Sequence, residues 1–332
     1  MDYNFFVNLN LDNKLAQSTI KSYWFRFKQL VEFIKNENNN DFNLLYLINN
    51  KNKVIDIINH YIVNNSTKIV YISSILYVLN YFIINKNYIN IDDLNIIKND
   101  YKTYFTKIRN EIKENNTGEF SEKEKENILS YSEITNIFND NYNKYINIIE
   151  KKTIVKIDDY YKIQNMVLLS FYVLIMPVRN KEIASLKYKK YDDNTDNYID
   201  INNKLLVFND YKTSKKYKKN IIDLKDNNKL IDLIKSFILF KNKNGFKKEY
   251  LFNSNTDTNL DKSSITHRLN AIINKKISSS MIRKIFITDN KGDYINNLNN
   301  TAKNMMNSPN VLISHYNKNW NTNNLFLFYL FI

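Results

Sequence analysis

The sequence predicts a mainly α-helical protein with a small antiparallel β-sheet, built as a helical N-terminal domain followed by an α+β domain. Three observations predict it. Apolar residues recur at spacings of three and four over most of the chain, the period of an amphipathic helix. Between 198 and 224 that period gives way to short β-branched and aromatic runs around an Asn-Asn turn. Around 111–126, a polar, charged stretch poor in apolar residues separates two regions that are each able to build a core. The length of 332 residues also suits two domains of roughly 150 residues each.

The elements follow in chain order. Residues 18–35 read as a helix, with Ser18 or Thr19 as its cap and Ile20, Tyr23, Phe27, Leu30 and Ile34 on one face. Residues 67–84 repeat the pattern, and 43–64 and 93–113 are also helix-like, so 1–115 form a small helical domain. Residues 116–128 read as a linker. A second domain, 129–320, opens with a helix starting at Ser132-Glu133-Ile134. Residues 158–176 are apolar on nearly every face and therefore form a buried helix. Strands are predicted at 198–201, 205–208 and 220–224, with Asn202-Asn203 turning between the first two. Helices return at 227–242, 263–275, 279–289 and 293–306. Ser308 suits an N-cap and Pro309 the first helical position of a last helix reaching Tyr316. Residues 321–332 form an apolar tail.

Composition narrows the chemistry. Lys and Arg number 48 against 34 Asp and Glu, a net charge of +14, which points to a polyanionic partner with nucleic acid foremost. The absence of cysteine excludes disulfides, thiolate nucleophiles, zinc–cysteine sites and iron–sulfur clusters. The three histidines, His60, His267 and His315, are too far apart for a helical metal pair. Three scattered glycines leave no Walker A loop and no GxGxxG motif. The expectation is an enzyme or binding protein without a cofactor. The start, MDYNFFVNLNLDNK, lacks a secretory leader pattern, and the longest apolar run, 166–176, is too short for a membrane span of ~20 residues. An intracellular, non-membrane protein is expected. The Asn, Lys, Ile and Tyr bias suggests an AT-rich genome.

Several positions could carry chemistry. Residues 204–219 hold six lysines, with Lys212, Lys215, Lys216, Lys218 and Lys219 closely spaced and Tyr211 and Tyr217 among them. Phosphate contact is one reading, and a solvated turn or a nuclear localisation patch is the other. Arg179 ends a buried segment and has Glu182 three residues on, so it either forms a structural pair or points into a site. Arg283 sits among apolar neighbours in the same way, and two such arginines could clamp one phosphate.

Taken in order, Arg179, Lys212, Arg283 and Tyr316 resemble the tyrosine recombinase (phage integrase) family. The stretch 168–186, LLSFYVLIMPVRNKEIASL, is similar to the family's first arginine box, and 211–224, YKTSKKYKKNIIDL, to its lysine β-hairpin. The stretch 280–288, SMIRKIFIT, resembles the second arginine box, and 305–316, MMNSPNVLISHY, the closing tyrosine box. STIKSY at 18–23 resembles part of the family's core-binding domain. The resemblance implies a core-binding domain followed by a recombinase catalytic domain, acting on double-stranded DNA as a homo-oligomer, a tetramer, without metal or nucleotide.

It also implies roles. Tyr316 attacks a DNA phosphate to form a 3′-phosphotyrosyl link, Arg179 and Arg283 hold the non-bridging oxygens, and Lys212 protonates the departing 5′-oxygen, with Lys215 as the alternative acid. Lys215, Lys216, Lys218 and Lys219 are expected to contact DNA. Two positions depart from the family pattern: Ser280 stands where the second box has His, and Asn307 where the closing box has His or Trp. Both can hydrogen-bond a phosphate but cannot replace imidazole as an acid or base near neutral pH. A slower enzyme is therefore expected. Two rivals stay open: a DNA-binding relative with weakened or lost catalysis, and a type IB topoisomerase-like relaxing enzyme. The tail, LFLFYLFI at 325–332, is expected to pack on its own domain or on a neighbouring protomer.

Overall fold

Contacts divide the chain into two units, Met1–Glu119 and Phe120–Ile332. The computed structural model describes residues 3–9, 15–38, 42–85, 91–115, 120–306 and 308–309. Asn307, Tyr316 and the tail lie outside the described residues.

The first unit is helical: α1 (Tyr3–Asn8), α2 (Gln17–Glu37), α3 (Tyr46–Asn49), α4 (Lys51–Tyr61), α5 (Asn65–Asn85) and α6 (Ile91–Glu114). Helix α5 packs against both α2 and α6. Its Ile72, Ile75, Val78 and Leu79 share one core with Ile20, Phe27, Leu30 and Ile34 of α2. The buried tyrosines Tyr71 and Tyr101 are hydrogen-bonded; Tyr71 donates to Gln29 Oε1 and Tyr101 to the Leu47 carbonyl, each at 2.9 Å. Two local expectations change. The cap of α2 is Ala16, without a side-chain cap, so Ser18 and Thr19 lie inside the helix. The stretch 43–64 is two helices, because Asn50 leaves the helical region at φ −124° and ψ 34°.

The second unit begins inside the stretch read as a linker. Ser121 and Glu124 form a reciprocal capping box on α7 (Glu122–Lys125), and Phe120 packs on the core. A second such box, Ser130 with Glu133, starts α8 (Tyr131–Glu150). Helix α9 (Ile157–Val173) follows, contacted by α8, by α12 (Asn228–Lys243) and by α13 (Lys262–Ile273). That encirclement explains its near-continuous apolar sequence. Its buried Gln164 is satisfied by the Asn253 backbone, donating to the carbonyl at 3.1 Å and accepting from the N–H at 3.0 Å.

Strands β1 (Tyr198–Asp200), β2 (Leu205–Phe208) and β3 (Asn220–Asp223) form an antiparallel sheet in the order β1-β2-β3. The protein is thus mainly α with a small antiparallel sheet. Asp200 organises the β1–β2 turn by accepting the N–H groups of Asn202 and Asn203, each at 3.0 Å. The β2–β3 connection is longer than a tight hairpin and carries a one-turn helix, α11 (Ser214–Tyr217). The helices α10 (Asn180–Ala184) and α14 (Ser279–Asn304) complete the unit. The predicted helices 279–289 and 293–306 are one continuous helix, because Gly292 weakens a helix without ending it. Among the described residues no helix is long and apolar enough to cross a membrane.

Candidate active site

The site is assembled at the end of α9. That helix stops at Val173, and the chain turns through Pro177 into an extended residue, Arg179, at φ −82° and ψ 156°. Arg179 is the N-cap residue of α10, whose Ile183 and Ala184 face the core. Glu182, on the same single turn, is 4% exposed. The hydroxyl of Tyr131 donates to the Tyr172 and Val173 carbonyls, at 3.0 and 3.2 Å, and closes the end of α9. Tyr172, fully buried, donates to Asn180 Oδ1 at 2.9 Å. Asn180 in turn donates to the Lys262 carbonyl at 2.9 Å and to the Thr266 hydroxyl at 2.8 Å. Helix α13 is thereby tied to the base of α10.

Helix α14 brings the second arginine. Ser278 caps it by accepting the Met281 N–H at 3.2 Å, and Met281, Ile282 and Ile285 insert into the core. Helical spacing then leaves Arg283 partly buried and Ser280 exposed. Arg283 donates to the Ser279 carbonyl at 3.4 Å and to the Ser280 hydroxyl at 3.3 Å.

Electrostatics show that these groups share one locus. Burial pushes the Glu182 carboxyl above its ordinary range; its own N–H, the charge of Arg179, the Lys212 N–H and the charge of Arg283 pull the other way. Burial lowers Arg283, Arg179 lowers it further, and Glu182 and Tyr172 oppose them. Burial raises Tyr172, and Glu182 adds to that shift while Arg283 opposes it. One oxygen of Glu182, Oε2, is buried without a hydrogen-bond partner. The charges of Arg179 and Arg283 thus both act on one desolvated carboxyl, which opposes their mutual repulsion.

The sequence-predicted residues are distributed unevenly around this locus. Arg179 and Arg283 are coupled electrostatically to each other and to Glu182. The backbone N–H of Lys212 also acts on the Glu182 carboxyl, and the Lys212 side chain is exposed. Ser280 touches Arg283. Lys215 and Lys216 are exposed on α11, with the Lys216 ammonium 4.9 Å from the Tyr217 ring centroid. Lys218 takes φ 60° and ψ −147°, a conformation natural only to glycine, and its carbonyl accepts from Tyr211 Oη at 2.7 Å. The Lys219 ammonium donates to the Asp193 carbonyl at 3.1 Å and to Tyr198 Oη at 3.3 Å, so it is engaged by the protein itself. Asn307 and Tyr316 lie outside the described residues. His267 is exposed on α13. Sequence reasoning missed Tyr172, Asn180 and Asn197. The one available signal was a tyrosine inside an otherwise apolar helix; single asparagines carry none in a chain this rich in them.

No family model matches the chain, and no curated protein matches it. Among solved structures it is similar to the crystal structure of XerA recombinase, with 14% identity and a TM-score of 0.34 over 89% of this chain and 85% of that one.

Proposed function

We propose that the protein is a DNA strand-breaking and rejoining transesterase, a site-specific recombinase or integrase acting on double-stranded DNA as a homo-oligomer. The observation that carries this reading is the buried Glu182 carboxyl, which is coupled electrostatically to Arg179, to Arg283 and to the backbone N–H of Lys212. One group thus gathers two phosphate-clamping cations and the start of a lysine-rich loop, each from a different part of the sequence.

In the proposed reaction the Tyr316 oxygen forms a bond to the scissile phosphorus and its proton leaves to solvent. The bond from phosphorus to O5′ breaks, and the Lys212 ammonium gives its proton to O5′, recovering one from solvent. Arg179 and Arg283 hold the non-bridging oxygens as charge develops on them. Attack by a 5′-hydroxyl of another strand reverses the step and conserves the phosphodiester. Lys215 and Lys216, exposed on α11, supply sequence-independent phosphate contacts.

A second reading is a DNA-binding relative with weakened cleavage. Ser280 favours it: the hydroxyl is occupied with Arg283 and cannot serve as an acid or base near neutral pH. A nicked duplex that loses a short 5′-hydroxyl fragment on cleavage separates the two. The strand-transfer reading expects a covalent adduct from the intact protein that disappears in Tyr316→Phe and falls about 10²-fold or more in Arg179→Ala. DNA binding without any adduct supports the second reading. Supercoil relaxation by isolated monomers would instead indicate a topoisomerase-like enzyme.

A further inference from the structure

A general acid contributes only when its proton is held within hydrogen-bond reach of the leaving atom, and an error near 1 Å costs on the order of 10²-fold in rate. Lys212 lies on the irregular β2–β3 connection, so something must set that connection against Arg179. The buried carboxamide of Asn197, 2% exposed and directly before β1, is placed to do so. Its Oδ1 accepts the N–H groups of Asn209 and Asp210, at 2.9 and 2.8 Å. Its Nδ2 donates to the Asp210 carbonyl at 2.8 Å and to the Glu182 carbonyl at 3.3 Å. Both lone pairs and both N–H bonds are used, a fully satisfied buried amide that joins α10, β1 and the start of the Lys212 connection.

We infer that Asn197 is a positioning residue, which sets the Lys212 connection against the helix bearing Arg179 and Glu182; this rests on the strand-transfer reading. One other tie runs between the same segments. The Lys181 ammonium meets Asp210 Oδ1 at 2.6 Å, but both side chains are more than half exposed and such a pair holds little. Asn197 is the buried tie that reaches the connection two residues before Lys212. One residue earlier, Asn209 Nδ2 anchors to the Asp193 and Asp196 carbonyls at 3.0 and 2.7 Å. The residue type matters: an aspartate would turn an oxygen toward the two carbonyls that now receive N–H groups, and a serine could not span all four partners.

The test uses two nicked duplexes, one with the natural O5′ at the scissile phosphate and one with sulfur in its place. A thiolate, whose conjugate acid has a pKa of about 8.5 in a simple thiol, leaves without a donated proton. Asn197→Ala is expected to slow single-turnover cleavage of the oxygen substrate about 10²-fold and to cleave the sulfur substrate at close to the rate of the unchanged protein. Lys212→Ala should show the same pattern, and the double variant should be no slower than Lys212→Ala alone. Equal losses on both substrates would overturn the inference and reduce Asn197 to a structural role. Should Asn197→Ala lack the native circular dichroism spectrum, Asn197→Asp, which keeps the acceptor toward Asn209 and Asp210, is read with the same two outcomes. Failure of the unchanged protein to form an adduct on either substrate would instead overturn the strand-transfer reading.

Discussion

Glu182 is the residue on which the site's electrostatics turn. It is buried, one of its oxygens lacks a partner, and burial outweighs two arginines and two N–H groups in setting its proton affinity. A carboxyl whose folded pKa is raised adds stability that is full below its unfolded value, ordinarily near 4.5, and is lost as pH rises through the folded value. The unchanged protein should therefore lose stability relative to Glu182→Gln as pH climbs above 4.5. Urea midpoints of the two proteins measured from pH 4 to 8 check this, and parallel curves would contradict it. At this scale the sequence was half legible. Arg179 and Glu182, three residues apart, suggested a pair; the approach of Arg283, from a helix more than a hundred residues on, is a tertiary fact with no local signature. The fully buried Tyr172 and Asn197 were likewise hidden among many residues of their own kind.

At the scale of elements, long periodic segments were legible and short irregular ones were not. The β-branched and aromatic runs at 205–208 and 220–223 marked β2 and β3 nearly to the residue; β3 alternates between half-buried and exposed positions, while Leu206, Val207 and Phe208 of β2 are all buried. The four-residue helix α11 escaped notice because its Ser-Lys-Lys-Tyr sequence has no face to bury; Thr213, with no side-chain cap hydrogen bond, precedes it. Helix α14 runs unbroken through Gly292, between the two helices expected from the sequence. That glycine lies inside the helix with no atom within 4 Å of the position a Cβ would take. Gly292→Ala should thus stabilise the second unit by about 0.5–1 kcal/mol through helix propensity alone. Differential scanning calorimetry would register a small upward shift in Tm; a decrease would mean that the site is more crowded than the structure indicates.

Across the whole molecule, the net charge of +14 is not spread evenly in purpose. Lys187 is paired with Asp196, Lys284 with Glu124 at 2.5 Å, and Lys219 is bound by a carbonyl and a tyrosine. Lys215 and Lys216 face solvent on α11. Removing one cation that neutralises a phosphate reduces the slope of log affinity against log salt by about 0.9. Replacing both Lys215 and Lys216 by Ala should flatten that slope by nearly twice this amount, whereas Lys219→Ala should change it by less than the value for a single cation. Fluorescence anisotropy on a duplex over a salt series distinguishes these outcomes, and an equal effect of Lys219→Ala would count against the arrangement described.

The central claim is that two arginines and a lysine connection are gathered around one DNA phosphate that Tyr316 attacks. It is tested most directly by trapping the protein on a nicked duplex, digesting both components and weighing the peptide that carries Tyr316. The account predicts that this peptide, and no other, bears a 3′-phosphonucleotide, and that Arg179→Ala and Arg283→Ala each suppress it. A nucleotide attached to another residue, or none attached while DNA is bound normally, would contradict it.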